Sequence, residues 1–289
     1  MTAAARPARR SPAARFRRLL PRVATYVGLL LLVAVFVLPI LWILGLSFKT
    51  RLQIFTTPPL FLWEPTLENY VGVLRTAAFL PALWNSLVCS AGAVLLSLAA
   101  GVPAAYAMAR IPFPGRQPIY YGLLVMRMLP PIAVLVPMYM LFNASGISGT
   151  RLGVVLAYAT FSLPLVVWVM RGFFEELAVE MEESAQIDGA GRPRIFWSIV
   201  LPLARPGLVA IAILCLLQAW NDFMFTAVLT NSDTQTLPVL LAGYSTADSG
   251  VDWGRLSAAG MLVVVPVIVI SFAVQRHLIA GLSSGAMKG

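Results

Sequence analysis

Six long apolar runs, separated by shorter polar connections, dominate the sequence. Each run is close to the roughly 20 residues that a helix needs to cross the hydrocarbon core of a bilayer. The pattern therefore predicts an all-α integral membrane protein with six transmembrane helices. The predicted spans are residues 23–48, 81–108, 119–142, 152–170, 206–229 and 256–274.

The composition supports this prediction. Apolar residues make up 59% of the chain, charged residues only 11%, and the mean hydropathy is +0.84. A soluble domain of 289 residues would need more charged side chains to cover its surface, so lipid must solvate much of this one. The net charge of +9 does not indicate a nucleic-acid-binding protein, because the basic residues cluster at the ends of apolar runs and not along one polar face.

The basic residues also predict the orientation. Fifteen of the 21 Lys and Arg residues lie on the side that holds both termini, five lie on the opposite side, and one lies within a run. The positive-inside rule therefore predicts a multi-pass protein of the cell membrane with both termini in the cytoplasm. The first run is too long for the core of a cleaved signal peptide, so we expect it to remain as a span. The chain then divides into an Arg-rich cytoplasmic segment (1–22), a six-span domain (23–274) and a cytoplasmic tail (275–289).

The connection 171–205, on the predicted cytoplasmic side, carries the strongest local pattern. Helix-forming residues fill 175–187, and Gly189 ends that helix because glycine supplies the backbone freedom that a tight turn needs. A second short helix is predicted after Pro193. One face of it would hold three apolar residues, Phe196, Ile199 and Val200.

Two short helices with a sharp corner suit docking into a groove of another protein. Small residues would let a partner approach closely, and apolar residues would anchor it; these are Ser184 and Ala185, then Ile187, Phe196 and Trp197. The six acidic residues of the loop are Glu175, Glu176, Glu180, Glu182, Glu183 and Asp188. The alternative interpretation is a solvated charged face, but it leaves the glycine corner and the apolar residues without a role.

The spacing within this loop resembles the EAA motif of ABC importer permeases. The family pattern is E-A-A, three residues, G, nine residues, then I-x-L-P, and every spacing matches. Ser184 replaces the middle alanine, which is a small-for-small change that preserves close approach. The matching residues are Glu183, Ser184, Ala185, Gly189, Ile199, Leu201 and Pro202, and Asp188 extends the match in the form common to sugar permeases.

Further elements extend the resemblance over nearly the whole chain. The sequence Trp220-Asn221-Asp222-Phe223 is similar to an element of the maltose-type carbohydrate permeases. The segment 252–254 and the tail 281–289 are similar to other elements of the same family. The resemblance therefore implies a type I ABC importer permease architecture with a cytoplasmic coupling-helix loop (171–205).

The resemblance also implies partners and a mechanism. A type I importer contains a second permease, here in a heterodimer, two cytoplasmic ABC ATPases and an extracytoplasmic solute-binding protein. The solute would be a carbohydrate, such as an oligosaccharide, a disaccharide or a related polyol or glycerol compound. ATP and Mg would bind to the ATPases, so this chain is expected to hold no cofactor or metal and to catalyse no reaction. No Walker-type loop occurs in the sequence.

Ionisable residues within the predicted spans are functional hypotheses, because charge is costly at that depth. Arg127 either lines the translocation pathway, pairs with a residue of another helix, or extends its side chain to the interface. Asn221 and Asp222 lie deeper and are expected to face the bundle interior, with Arg127 as one potential partner of Asp222. Trp220 beside them is a candidate for stacking on a sugar, whereas an interfacial belt explains most other tryptophans.

The loop 230–255, between the last two predicted spans, lies on the outward side. By analogy with the family, Tyr244, Asp252 and Trp253 would face the solute-binding protein. The alternative is a capped connecting loop without a partner. Cys89 and Cys215 fall inside apolar runs, where a thiol behaves as a small apolar group, so neither a disulfide nor a metal site is predicted.

Two other classes of membrane protein deserve comparison. An intramembrane protease would need a serine and a histidine at similar depth, but Ser145 and His277 lie near opposite membrane surfaces. An ion-coupled secondary transporter should show inverted halves and several carboxylates near the midplane, and only Asp222 qualifies. A permease for peptides or amino acids would share the EAA motif, and only the resemblance favours sugars.

Overall fold

The computed structural model describes residues 12–246 and 250–286, and most of them are helical. The first helix, α1 (Pro12–Ser47), has 36 residues. At 1.5 Å per residue it is about 54 Å long, which exceeds the roughly 30 Å of a hydrocarbon core. Its apolar side chains from Tyr26 to Ile43 are mostly exposed, so α1 lies at the periphery of the bundle.

A polar segment after α1 folds back over its end. It contains α2 (Arg51–Ile54) and α3 (Glu68–Arg75). The buried ammonium group of Lys49 donates a hydrogen bond to the carbonyl of Leu60 at 2.7 Å and lies 4.2 Å from the ring centroid of Trp63. The amide of Asn69 donates to the carbonyl of Ser47 at 3.0 Å, which satisfies a backbone acceptor at the end of α1.

The central pair of helices is α4 (Phe79–Arg110) and α7 (Arg151–Glu176), which run parallel and are closely packed. A Cβ atom on Gly101 of α4 would lie only 2.8 Å from Cγ1 of Val166 on α7, so the two helices touch where glycine leaves room. We name the two ends of this pair after their α4 residues: the Arg110 end and the Asn85 end.

The third predicted span is not one helix. The structure divides residues 119–142 between α5 (Arg116–Met128) and α6 (Pro131–Ala144), which meet at an angle of 101°. Leu129 and Pro130 both have extended backbone angles, because each precedes a proline and a following proline disfavours the helical region. The apolar run predicted as the third span is therefore divided at Leu129, immediately before its two prolines.

The loop after α7 contains more breaks than predicted. The helix α7 continues to Glu176, an extended residue Leu177 follows, and α8 (Glu180–Ile187) begins after it, so the predicted continuous helix over 175–187 was wrong. The second half consists of α9 (Arg192–Ile195), a π-helical turn (Phe196–Val200) and α10 (Leu201–Leu203). This half begins one residue before Pro193, close to the predicted position.

The fifth predicted span is also broken. The helix α11 (Arg205–Trp220) ends at Asn221, and α12 (Met224–Leu229) follows after a short gap. The segment 192–203 and α11 meet at an angle of 75°. The continuous span predicted over 206–229 is thus two helices, and α13 (Leu237–Ala242) follows in the next connection.

A small hairpin precedes the last helix. Its strands are β1 (Ser245–Thr246) and β2 (Gly250–Val251), which pair antiparallel with Ser245 opposite Val251. The last helix, α14 (Trp253–Ala286), includes the predicted sixth span and continues through most of the predicted tail. The fold is therefore mostly helical, with one two-stranded element that the sequence pattern did not predict.

Three helices of the described residues are long and apolar enough to cross a membrane, and the number rises to five if each bent pair counts as one span. The three are the apolar part of α1 (Thr25–Ser47), α4 and α7. The apolar part of α14 that the structure describes, Trp253–Val269, is shorter.

The close contact of α4 with α7 generates a stability prediction. Gly101→Ala places a methyl group against Val166, and overpacking of this kind lowers the free energy of unfolding by about 1–3 kcal/mol. Thermal unfolding of the purified chain in detergent measures the effect, and Val166→Ala in the same chain should restore much of the loss. The control is Gly122→Ala on α5, where an added Cβ meets nothing within 4 Å. Equal unfolding midpoints for Gly101→Ala and Gly122→Ala would contradict the contact.

Candidate functional site

The predicted corner between the two short helices is present. The helix α8 ends in a Schellman motif, in which the amide of Ala190 donates to the carbonyl of Ala185 at 2.9 Å and the amide of Gly189 donates to that of Gln186 at 3.0 Å. Gly189 has φ of +85°, a left-handed conformation that side chains with a Cβ rarely adopt. The glycine is therefore required by the backbone itself, since an added Cβ would meet nothing within 4 Å.

The residues around this corner form an exposed surface. Glu183, Ser184 and Asp188 are exposed, and Ala185 is partly buried against the core. Ile187 is 86% exposed, which places a large apolar side chain outside the fold next to acidic residues. We refer to the exposed residues of 180–203 as the coupling surface.

The second half of the loop is attached more firmly. Ile195, Phe196 and Val200 are buried in the core formed with α4 and α7, whereas Ile199 and Leu201 are partly buried and Pro202 is exposed. The ring of Phe196 lies 5.0 Å from that of Tyr106. Phe196 is thus part of this chain's own core and was wrongly predicted as an anchor for a partner, while Trp197 is 64% exposed.

One acidic residue of the loop is not on the exposed surface. Glu182 is only 5% exposed, and its Oε1 lies 2.7 Å from Nε of Arg110, the last residue of α4. Its Oε2 accepts a hydrogen bond of 2.7 Å from the hydroxyl of Tyr106. Sequence reasoning treated the six acidic residues alike and missed this ion pair, because its partner is 72 residues away.

A cavity lies where the two broken helices approach α7. Its volume is about 140 Å³, and the residues that line it are Pro131, Tyr158, Phe161, Ser162, Gln218, Ala219, Asp222, Met224 and Phe225. The carboxylate of Asp222 accepts hydrogen bonds from the amides of Phe225 at 3.1 Å and Thr226 at 3.3 Å, and so caps the start of α12. The mainly apolar lining of the cavity, with a few convergent polar groups, is of the kind found in small-molecule sites, but its volume is below the roughly 300–1,000 Å³ of such sites.

The four residues predicted to line a pathway are not brought together. Arg127 is in the last turn of α5 and donates to the carbonyl of Phe161 at 3.0 Å. Asp222 takes part in none of the salt bridges found in the described residues, so the suggested pair with Arg127 is absent. Asn221 is exposed and bonds the carbonyl of Leu217 on its own helix.

Trp220 lies in the protein interior. It is 3% exposed and packs in the cluster formed by α3, α4, α13 and α14, and it does not line the cavity. Its ring faces are therefore covered by protein and not available for stacking on a sugar. The cavity is lined instead by Tyr158, Ser162 and Gln218. No local sequence pattern marked these three residues as neighbours; only the folded structure brings them together.

The three residues singled out in the loop 230–255 lie near the hairpin. The backbone amide of Asp252 donates to the carbonyl of Tyr244 at 3.2 Å, and the carboxylate of Asp252 accepts from the amide of Arg255 at 3.1 Å at the start of α14. Trp253 is half-exposed, and Tyr244 packs against the interior cluster of Trp220. Part of this loop, residues 247–249, lies outside the described residues.

Asn85 is a buried polar residue that the sequence analysis missed. It is 0% exposed, and its side-chain amide donates to the carbonyls of Asp233 and Gln235, each at 2.9 Å. Its Oδ1 accepts a 2.7 Å bond from Nε of Arg151 at the start of α7. Asn85 therefore connects α4, α7 and the loop 230–236 at the end opposite the coupling surface. Its position within an apolar run was the only signal in the sequence.

No group of three His, Cys, Asp or Glu side chains is placed to hold a metal ion within residues that the structure describes. Cys89 and Cys215 are both buried and free. The arrangement therefore offers two features with functional geometry, the coupling surface and the cavity beside Asp222.

The sequence matches the model of a known family, the binding-protein-dependent transport system inner membrane component, over residues 97–284. This range includes both the coupling surface and the cavity. The chain belongs to this family. It is thus a permease component of ABC importers, as the EAA spacing indicated, and the resemblance drawn from the motif is confirmed.

Curated relatives match along most of their length. The chain is 35% identical over 272 residues to the trehalose transport system permease protein SugB of Mycobacterium tuberculosis (strain CDC 1551 / Oshkosh), covering 93% of this chain and 99% of that protein. It is 31% identical over 273 residues to the trehalose/maltose transport system permease protein MalG of Thermococcus litoralis, covering 93% and 98%.

A solved structure shares the fold. A chain of a bacterial ABC transporter involved in the import of the acidic polysaccharide alginate superposes with a TM-score of 0.75. The identity is 24%, and the match covers 94% of this chain and 100% of that chain. The permease fold of a type I ABC importer is therefore the fold of this chain.

The contacts of Asn85 generate a second stability prediction. Asn85→Leu leaves two loop carbonyls and the guanidinium group of Arg151 without their partner, and each unsatisfied buried group costs about 1–3 kcal/mol. The unfolding midpoint of the purified chain should fall clearly. Asn221→Leu serves as the control, because that amide is exposed and bonds only its own helix. Equal midpoints for the two variants would show that Asn85 carries no such role.

Proposed function

We propose that this chain is the membrane-spanning permease subunit of an ATP-driven, binding-protein-dependent importer of a carbohydrate. The solute is an oligosaccharide, a disaccharide or a related polyol or glycerol compound. ATP and Mg bind to a separate ATPase subunit, so the chain itself is not catalytic. Family membership and the named sugars of its relatives support this function.

The coupling surface is the observation that carries the proposal. A rigid glycine corner presents small residues beside exposed Ile187 and Trp197, and Glu183 and Asp188 lie next to them. Apolar side chains exposed among charges are typical of a surface that a partner protein covers. The ATPase is the partner that the EAA spacing implies, and its groove would take α8 and the corner at Gly189.

The membrane topology follows if α5 with α6, and α11 with α12, each cross the bilayer once. The six spans are then α1, α4, the pair α5 and α6, α7, the pair α11 and α12, and α14. Discontinuous helices occur in membranes where the broken backbone lines a cavity or is buried in protein, and both breaks here lie beside the cavity. With the Arg110 end in the cytoplasm, both termini are cytoplasmic and the coupling surface faces the ATPase.

The remaining partners complete the importer. A second permease forms a heterodimer with this chain, which agrees with the exposed apolar surface of α1, α5 and α6. A solute-binding protein delivers the sugar at the Asn85 end, near Tyr244, Asp252 and Trp253. The surrounding lipid bilayer solvates the rest of the apolar surface.

In the proposed mechanism, closure of the two ATPases moves the membrane-spanning helices of the permease. ATP binding brings the two ATPase subunits together and displaces the coupling surfaces, and the permease pair then changes from inward-facing to outward-facing. Hydrolysis reverses the change. The breaks at Leu129 and Asn221 divide α5 from α6 and α11 from α12, so these segments can reorient without unwinding a continuous helix.

The cavity beside Asp222 is the proposed contact of this chain with the solute. The side chains of Asp222, Ser162 and Gln218 can bond sugar hydroxyls, and Phe161 and Phe225 offer apolar faces. Arg127 lies near this region through its bond to the carbonyl of Phe161. Trp220 and Asn221 are not expected to contact the solute.

The ATPase dock is tested with the importer rebuilt from this chain, its partner permease, the ATPase and the binding protein. Sugar-stimulated ATP hydrolysis is measured with trehalose and maltose, the sugars named for its relatives. Gly189→Trp combines backbone strain at positive φ with a bulky side chain at the corner. It should abolish the stimulation while the chain still inserts, because the groove can no longer receive α8.

The matched control is Gly172→Trp on α7, where an added Cβ meets nothing within 4 Å and φ is not positive. It should retain the stimulation. If the unaltered chain binds no ATPase, or if Gly189→Trp transports normally, the importer function loses its main support. An ion-coupled secondary transporter is then the alternative, and transport would depend on an ion gradient and not on ATP.

The solute contact is tested by two substitutions at one position. Asp222→Asn keeps a capping oxygen for the amides of Phe225 and Thr226 but removes the charge, whereas Asp222→Leu removes both. We expect Asp222→Asn to raise the KM for sugar uptake by about tenfold, the cost of one good hydrogen bond to a charged group, with little loss of stability. Initial uptake rates in proteoliposomes measure it, and an unchanged KM would exclude Asp222 from the solute site.

A further inference from the structure

We propose that Glu182 is a positioning residue that fixes α8 to the end of α4, so that a displacement of the coupling surface is delivered to α4. The inference rests on the proposed function and names the path by which the coupling surface acts on the membrane helices. Arg110 and Tyr106 are its partners on α4.

The backbone by itself does not hold α8 in place. An extended residue, Leu177, separates α8 from α7, and the turn at Gly189 separates it from α9. A force applied to α8 would therefore bend these two connections before it moved either neighbouring helix. The position of α8 must come from side-chain contacts, and Glu182 is the one buried residue among its eight.

The contacts of Glu182 are suited to carry a force. Both carboxylate oxygens are used, one by Nε of Arg110 and the other by the hydroxyl of Tyr106, and each distance is 2.7 Å. Hydrogen bonds to an ionised group are short and strong, and burial protects this pair from screening by salt. The Nη2 atom of Arg110 also donates to the carbonyl of Leu177 at 2.7 Å, so the same guanidinium group holds the connection that precedes α8.

These contacts lead to α4 because Tyr106 and Arg110 are one helical turn apart on it and face the same side. The ring of Tyr106 packs edge-on against Phe174 of α7 and tilted against Phe196 of the π-helical turn. Tyr106, whose hydroxyl donates to Glu182, thus lies in the core that joins the three elements. At its other end α4 carries Asn85, which bonds the loop 230–236. One continuous helix therefore connects the coupling surface with the opposite end of the molecule.

A buried ion pair could also serve only to stabilise the fold. The test must therefore separate stabilisation of the fold from transmission of movement from α8 to α4. Hydrogen exchange followed by mass spectrometry reports α8 and α4 separately. It is measured on the assembled importer before and after its ATPases are trapped with ADP and vanadate. The variants are Glu182→Ala and the milder Glu182→Gln, which keeps the size and loses the charge. Glu176→Ala is the control, an exposed carboxylate at the end of α7 that lies outside the coupling surface.

In the unaltered importer, trapping should change exchange in α8 and in the Arg110 end of α4 together. In Glu182→Ala the change should remain in α8 and be lost from α4, and exchange of α8 before trapping should rise by about a hundredfold, as expected when one partner of a buried ion pair is removed. Sugar uptake per ATP hydrolysed should fall by about tenfold, within the range of typical coupling between sites. If the ion pair only stabilises the fold, its loss would lower sugar uptake and ATP hydrolysis in proportion and leave this ratio unchanged.

The charge-exchanged variant Glu182→Arg with Arg110→Glu should recover the response of α4, since the pair is restored with opposite polarity, and Glu182→Gln should fall between it and Glu182→Ala. If α4 responds to trapping in Glu182→Ala as in the unaltered chain, the inference is wrong. The proposed function has a separate test: an unaltered chain that binds no ATPase overturns the importer and the transmission with it, whereas unchanged exchange of α8 in Glu182→Ala overturns the attachment alone.

Discussion

The direct contact of α4 with α7 is the constraint on which the other helices depend. In a bilayer, burial of apolar side chains contributes little, because lipid is as apolar as the protein interior, so close packing and polar bonds between helices decide the arrangement. Gly101 lets the backbone of α4 approach Val166 closely. Buried polar contacts then fix the two ends, through Glu182 at one and Asn85 at the other. Little freedom remains for the pair to slide or rotate.

Around this rigid pair the chain places its discontinuous helices. The bend before α6 and the gap before α12 both lie beside the cavity, and each has a local chemical cause. Consecutive prolines force Leu129 and Pro130 out of the helical region, and Asp222 offers its carboxylate to the amides that a continuous helix would have used. The molecule thus combines a closely packed central pair, α4 and α7, with broken helices that can change their angle. Alternating access requires both kinds of element.

Sequence reasoning recovered the features that depend on local pattern. Apolar run length predicted α1, α4, α7 and α14, and the glycine at position 189 predicted the corner after α8. The Pro130-Pro131 pair, visible in the sequence, coincides with the bend between α5 and α6. Other features had no local signal. The burial of Trp220 and the partners of Glu182 and Asn85 depend on helices that lie far apart in the chain.

The position of α1 has a consequence for biogenesis. This helix packs against α14, so the first long helix of the chain finds its neighbour in the last one. Contacts between distant parts of a chain form late, because the intervening loop must close first. During synthesis, the side of α1 that packs against α14 would therefore be in contact with lipid until α14 is inserted. A nascent chain interrupted before position 253 would lack α14 and leave that side of α1 without its neighbour in the fold.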